Sequence, residues 1–93
     1  MPISFMVKEA RDRLENRNFV FTLRPQFRTT GKNWYNYRRG DTKKGDVYII
    51  FIGYYKDRED ELEPFVKGSG FNSLEDWLKK AKKSRYLFKV SLI

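Results

Sequence analysis

The chain contains no cysteine and no histidine. The first absence removes disulfide frameworks, thiolate metal ligands and cysteine nucleophiles. The second removes the side chain that most often serves as general base or metal ligand near neutral pH. Long apolar runs are missing too. The longest, Val47–Ile52, has 6 residues, against the ~20 that a transmembrane helix needs. The opening Met1-Pro2-Ile3-Ser4-Phe5 lacks the charged start and apolar middle of a signal peptide. Together these absences set an expectation of a cytoplasmic protein with no membrane segment, no metal and no cofactor.

Positive charge and aromatic rings are abundant. Twenty Lys+Arg stand against twelve Asp+Glu, a formal charge of +8, and the rings comprise 8 Phe, 6 Tyr and 2 Trp. A length of 93 residues suits a single domain over 1–93. A hydrophobic fraction of 40% is enough to fold it. Surplus positive charge bears on partners rather than on fold, and it favours nucleic acid, then anionic membrane surfaces, then acidic proteins.

Local patterns sketch the order of elements. Ser4 reads as the N-cap of a helix over 5–17, with Met6, Ala10 and Leu14 on one stripe. Phe19–Arg24 alternates β-formers and reads as a strand stopped by Pro25. Residues 25–45 hold Gly31, Gly40 and Gly45 without sustained periodicity and read as a long connection, a feature that is often functional. Asp46–Tyr55 is the clearest strand; apolar residues on both its faces suggest a central position covered on each side. The acidic stretch Asp57–Glu63 reads as a short helix or turn ending before Pro64. Ser73 caps a second helix, with Asp76 completing a capping box and Leu74, Trp77, Leu78 and Ala81 forming its apolar stripe. Tyr86–Ile93 closes the chain as a strand. Val47, Ile49, Phe51, Trp77, Leu78, Phe88 and Val90 are expected to be buried together. Strands interrupted by helices in so short a chain point to an α+β domain around a small curled β-sheet.

The segment from Arg24 to Lys44 is the most informative for function. It carries Arg24, Arg28, Lys32, Arg38, Arg39, Lys43 and Lys44 against a single acid, Asp41, with Phe27, Trp34, Tyr35 and Tyr37 interleaved. Cations neutralise phosphates while ring faces stack on unpaired bases, so the mixture suits single-stranded or distorted nucleic acid. The candidate binding set is Arg24, Arg28, Lys32, Trp34, Tyr35, Tyr37, Arg38, Arg39, Lys43 and Lys44. A solvated loop whose rings fold back on the sheet is the competing reading. The lysines at 79, 80, 82 and 83 read as the solvated face of a helix. The acids of Asp57–Glu63 have no metal-ligand spacing, although their face could receive another protein.

The order of these segments resembles the ASCH domains of the PUA-like superfamily. The resemblance rests on the Phe-Val-Phe-Thr-Leu-Arg strand, the Lys44-Gly45-Asp46-Val47 entry to the apolar strand, and Gly70-Phe71-Asn72-Ser73-Leu74-Glu75-Asp76-Trp77 opening a helix. It implies a small β-barrel flanked by two or three short helices, with a cleft lined by the loop after the first long strand. It also implies an association with RNA, either as a binding module or as an enzyme on RNA or a modified nucleoside. Enzymatic members carry a Gly-x-Lys region before a Thr-x-Arg strand end. Thr22-Leu23-Arg24 matches the second part, whereas Asn16-Arg17-Asn18 stands where the first is expected. An arginine at 17 stays protonated and cannot act as a base. The leading expectation is therefore a noncatalytic module that binds RNA, with DNA second. The alternative is a hydrolase using Thr22, a lysine such as Lys32 or Lys44, and Asp46 or Glu15.

Overall fold

A computed structural model describes all of residues 1–93. Its elements are β1 (Ile3–Ser4), α1 (Lys8–Arg17), β2 (Phe19–Arg24), β3 (Gly31–Asn36), β4 (Gly45–Tyr54), a 3-10 segment (Glu59–Gly68), α2 (Leu74–Ala81) and β5 (Tyr86–Leu92). The strands form one curled half-barrel sheet in the order β1-β3-β4-β5-β2. Every pairing is antiparallel except β1 with β3. This is the expected α+β architecture, with three helices. No helix is long and apolar enough to cross a membrane.

The N-terminus differs from the expectation. Ser4 does not cap α1; it lies in β1, where its hydroxyl donates to Asn36 Oδ1. The helix begins at Lys8 after an uncapped Val7. Ile3 and Phe5 alternate into the core, because two residues of extended chain bury more here than another half-turn of helix would. Ala10 and Leu14 face the sheet as the stripe requires, but Met6 is 67% exposed.

The connection 25–45 contains β3, which periodicity alone did not reveal. Its sequence, Gly-Lys-Asn-Trp-Tyr-Asn, lacks an apolar alternation because, of the positions sharing the core face with Ile49 and Val47, Gly31 and Asn33 are not apolar and only Tyr35 joins the core. Pairing with β4, from Gly31 opposite Ile49 to Tyr35 opposite Gly45, makes it a strand. Asn36 is fully buried and holds the corner, accepting from Ser4 and donating to the Asp41 carbonyl at 3.3 Å.

β4 is central in strand order, yet it is not covered on both sides: Tyr48 and Ile50 are exposed. The acidic stretch also runs further than expected. It passes through Pro64 to Gly68 as a 3-10 segment, because Leu62 and Val66 bury beneath it. Gly68 is needed at its end, since a Cβ there would stand 2.4 Å from Phe21 Cδ2. In α2 the Ser73 hydroxyl accepts from the Asp76 N–H at 3.1 Å, as the capping pattern indicates.

The expected single core is two, one on each face of the sheet. Val20, Val47, Ile49, Phe88 and Val90 pack against Ile3, Phe5 and α1. Leu23 and Leu87 pack against Leu62, Val66 and Trp77 on the other face. Phe51 and Leu78 are only partly buried. Trp77 is 3% exposed, so Trp77→Ala should cost ~3–5 kcal/mol of a total stability of ~5–15 kcal/mol. Met6→Ala should change stability by less than about 0.5 kcal/mol. Urea denaturation of the two variants checks both expectations.

Candidate nucleic-acid interface

The end of β2 sets the site. Arg24 pairs with Tyr86 of β5, which pairs with Tyr54 of β4, so one end of the sheet presents a cation and two rings in a row on a single face. Arg24 Nε donates to Thr22 Oγ1 at 3.1 Å and Nη1 to the Ser4 carbonyl at 2.6 Å. Its guanidinium lies 4.7 Å from the centre of the Phe5 ring. No carboxylate pairs with it. Burial, with like-charge repulsion from Arg28 adding to it, pulls the guanidinium down to about 10.

Past Pro25 the chain folds back over its own N-terminus. Arg28 donates from Nη1 to the Met1 carbonyl at 2.9 Å and from Nη2 to the Pro2 carbonyl at 2.8 Å. Its burial also depresses its pKa. The fold-back leaves a cavity of about 550 Å³ whose lining includes Arg24, Arg28, Lys32, Arg39 and Phe27 and contains no carboxylate. Four cations with no acid among them favour an anionic ligand.

Phe27 is the ring beside these cations, and it is 54% exposed. It packs edge-on to Phe51 at 4.9 Å and to Tyr86 at 6.5 Å. Tyr86 in turn lies 4.5 Å from Tyr54, which is 45% exposed. A patch of rings therefore borders the cationic cavity.

The remaining candidates are dispersed. Tyr35 is 4% exposed, packed edge-on to Phe5 and donating to Glu15 at 2.8 Å. Its ring has no face free for a base, which corrects its expected stacking role. Tyr37 donates to the same Glu15 oxygen at 2.7 Å, and Arg11 and Lys44 both lie over its ring, at 4.6 and 4.8 Å. It too is occupied within the fold. Trp34 is half-buried and is not part of the cavity lining. Lys43 pairs with Asp46 at 2.6 Å. Arg38 is exposed and lies outside the cavity lining.

The sequence-based set thus holds the four converging cations but not the rings that accompany them. Phe27 was visible between Arg24 and Arg28; Tyr54 and Tyr86 were concealed as ordinary strand residues. The groups of the hydrolase alternative are not assembled. Glu15 serves the two tyrosines and Asp46 serves Lys43. Thr22 has Arg24, not a carboxylate, as its side-chain partner. Two acids of the 3-10 segment are paired, Glu59 with Arg85 and Glu61 with Arg58. No protein-family model matches the chain, and neither curated proteins nor solved structures provide a match.

Thr22 is buried and supplies the acceptor for Arg24 Nε. Thr22→Val should therefore destabilise the fold by ~1–3 kcal/mol, lowering the urea midpoint with little change in slope. A pH effect is expected at Tyr35, whose hydroxyl is pushed up from its ordinary 10.0 by burial and then by Glu15. Below pH 10 folded and unfolded chains both keep the proton, and the Tyr35 contribution is complete. Above it the unfolded chain gives up the proton while the folded chain retains it, so stability falls as pH rises. Tyr35→Phe should lack that component, a difference read from denaturation curves at stepped alkaline pH.

Proposed function

We propose that the chain is a nucleic-acid-binding module, with RNA ahead of DNA, that holds backbone phosphates in the cationic cavity and stacks bases on the neighbouring rings. The observation carrying this reading is the convergence of Arg24, Arg28, Lys32 and Arg39 on one cavity that no carboxylate lines. Arginine forks suit phosphate oxygens. Phe27 and Tyr54 supply the exposed ring area, which only unstacked bases can use. That requirement favours single strands, loops and bulges, the usual targets of sequence-reading RNA proteins. The ASCH-like order of motifs points to the same partner.

If the four cations each neutralise a phosphate of a single strand, log K should fall with log salt at a slope near −2.8, at ~0.7 per contact. Affinity should drop roughly fiftyfold between about 50 and about 200 mM salt. Replacing Lys32 and Arg39 together by glutamine should flatten the slope by about 1.4 and weaken all sequences alike, because phosphate contacts carry no base information. Phe27→Ala should cost ~1–3 kcal/mol of binding with the slope unchanged, and less on a perfect duplex. Fluorescence anisotropy with labelled single-stranded and duplex oligonucleotides measures all of these. Absence of binding to any RNA or DNA at low salt would falsify the reading.

A further inference from the structure

Arg24 stands in the wall between two cavities, since Ser4, Arg24 and Pro25 line both. The second, of about 270 Å³, lies between α2 and the segment Ser4–Val7. Phe5, Val7, Phe71, Trp77 and Ala81 give it apolar walls, and Thr22, Ser84, Lys80 and Arg24 are among its polar groups. It has no acid in its lining. Arg24 uses Nε and Nη1 within the fold, while Nη2 makes no hydrogen bond to protein. A largely buried cation without a counter-charge is costly to hold, and the depressed Arg24 pKa reflects that cost.

We propose that this second cavity binds a small aromatic carboxylate, with the carboxylate on Arg24 and the ring against the partly exposed Phe71 and Val7. The chemistry of the walls selects the ligand. The free Arg24 Nη2 can donate a charge-assisted bond to a carboxylate oxygen, and an aromatic body covers apolar walls that water fills poorly. At ~30 Å³ per water-sized group the space holds about nine such groups, which suits a single ring with a short acidic arm. Free phosphate leaves the apolar walls uncovered. The site shares only the Arg24 wall with the nucleic-acid reading, and neither reading requires the other.

Phenylacetate is the probe, phenylacetamide its neutral counterpart, and heteronuclear NMR the readout through the indole N–H signals of Trp77 and Trp34. Phenylacetate should shift Trp77 saturably and leave Trp34 in place. The amide should bind at least roughly tenfold more weakly, a difference of about 1.4 kcal/mol. Ala81→Leu, which fills the cavity, should abolish phenylacetate binding and leave oligonucleotide binding intact. The Lys32→Gln, Arg39→Gln double variant should weaken oligonucleotide binding and leave phenylacetate binding intact, so failure of one site is distinguishable from failure of the other. Should Ala81→Leu not fold, the comparison of acid with amide on the unaltered chain decides alone. An unmoved Trp77 signal at about 10 mM phenylacetate, where even a weak millimolar site is mostly filled, overturns the proposal, as does equal binding of acid and amide.

Discussion

β1 and β2 are the two edges of the sheet, and no ladder joins them. The Arg24 side chain spans that gap from the end of β2 to the Ser4 carbonyl of β1. Backbone amides close a full barrel with many weak bonds; here one charged donor does it, and a charge-assisted bond is about twice as strong as a neutral one. The same guanidinium orders Thr22, covers Phe5 and forms a wall of both cavities. Its lack of a carboxylate makes the clasp an attractor for anions as well. Fold closure and the proposed ligand chemistry therefore share one side chain.

Much of this positive charge is spent inside the molecule. Arg13 caps the Phe19 carbonyl and ring, Arg85 reaches Glu59 and two carbonyls, and Lys44 lies on Tyr37. Arg28 tethers the first two residues while lining the cavity. A net charge of +8 consequently overstates what is free to meet a partner. The cations facing open space around the cavity, Lys32 and Arg39, carry no such duty and are the ones whose loss should leave the fold unharmed.

The elements legible from sequence were those with complete local signals. β2 carries alternating β-formers ended by proline, and its bounds match; α2 carries a serine cap with an apolar stripe, and its start at Leu74 matches. β3 was missed because Gly31 and Asn33 occupy two of its core-facing positions and leave no apolar alternation to read. The Ser4 cap was misassigned because the competing signal, Ile3 and Phe5 alternating into the core, depends on β3 as a partner and is invisible without it. The site was half legible for the same reason. A run of cations announces itself in sequence, but which of them converge depends on the fold-back after Pro25. The choice of rings failed where neighbours in sequence were divided between core and surface. Tyr35 fell inside while Phe27, eight positions earlier, stayed out.

Strand order also governs how the chain must reach this structure. β2 pairs only with β5, and Phe19 lies opposite Ser91, 72 positions away. During synthesis β2 emerges well before β5, its ladder partner. Contacts so distant in sequence slow folding, since a long loop must close before the pairing repays it. Until then Phe19, Val20, Phe21 and Leu23 form an exposed apolar strand of the kind that aggregates from partly folded states. α1, which immediately precedes β2 and packs on it, is the one element available early enough to shield that strand while it waits.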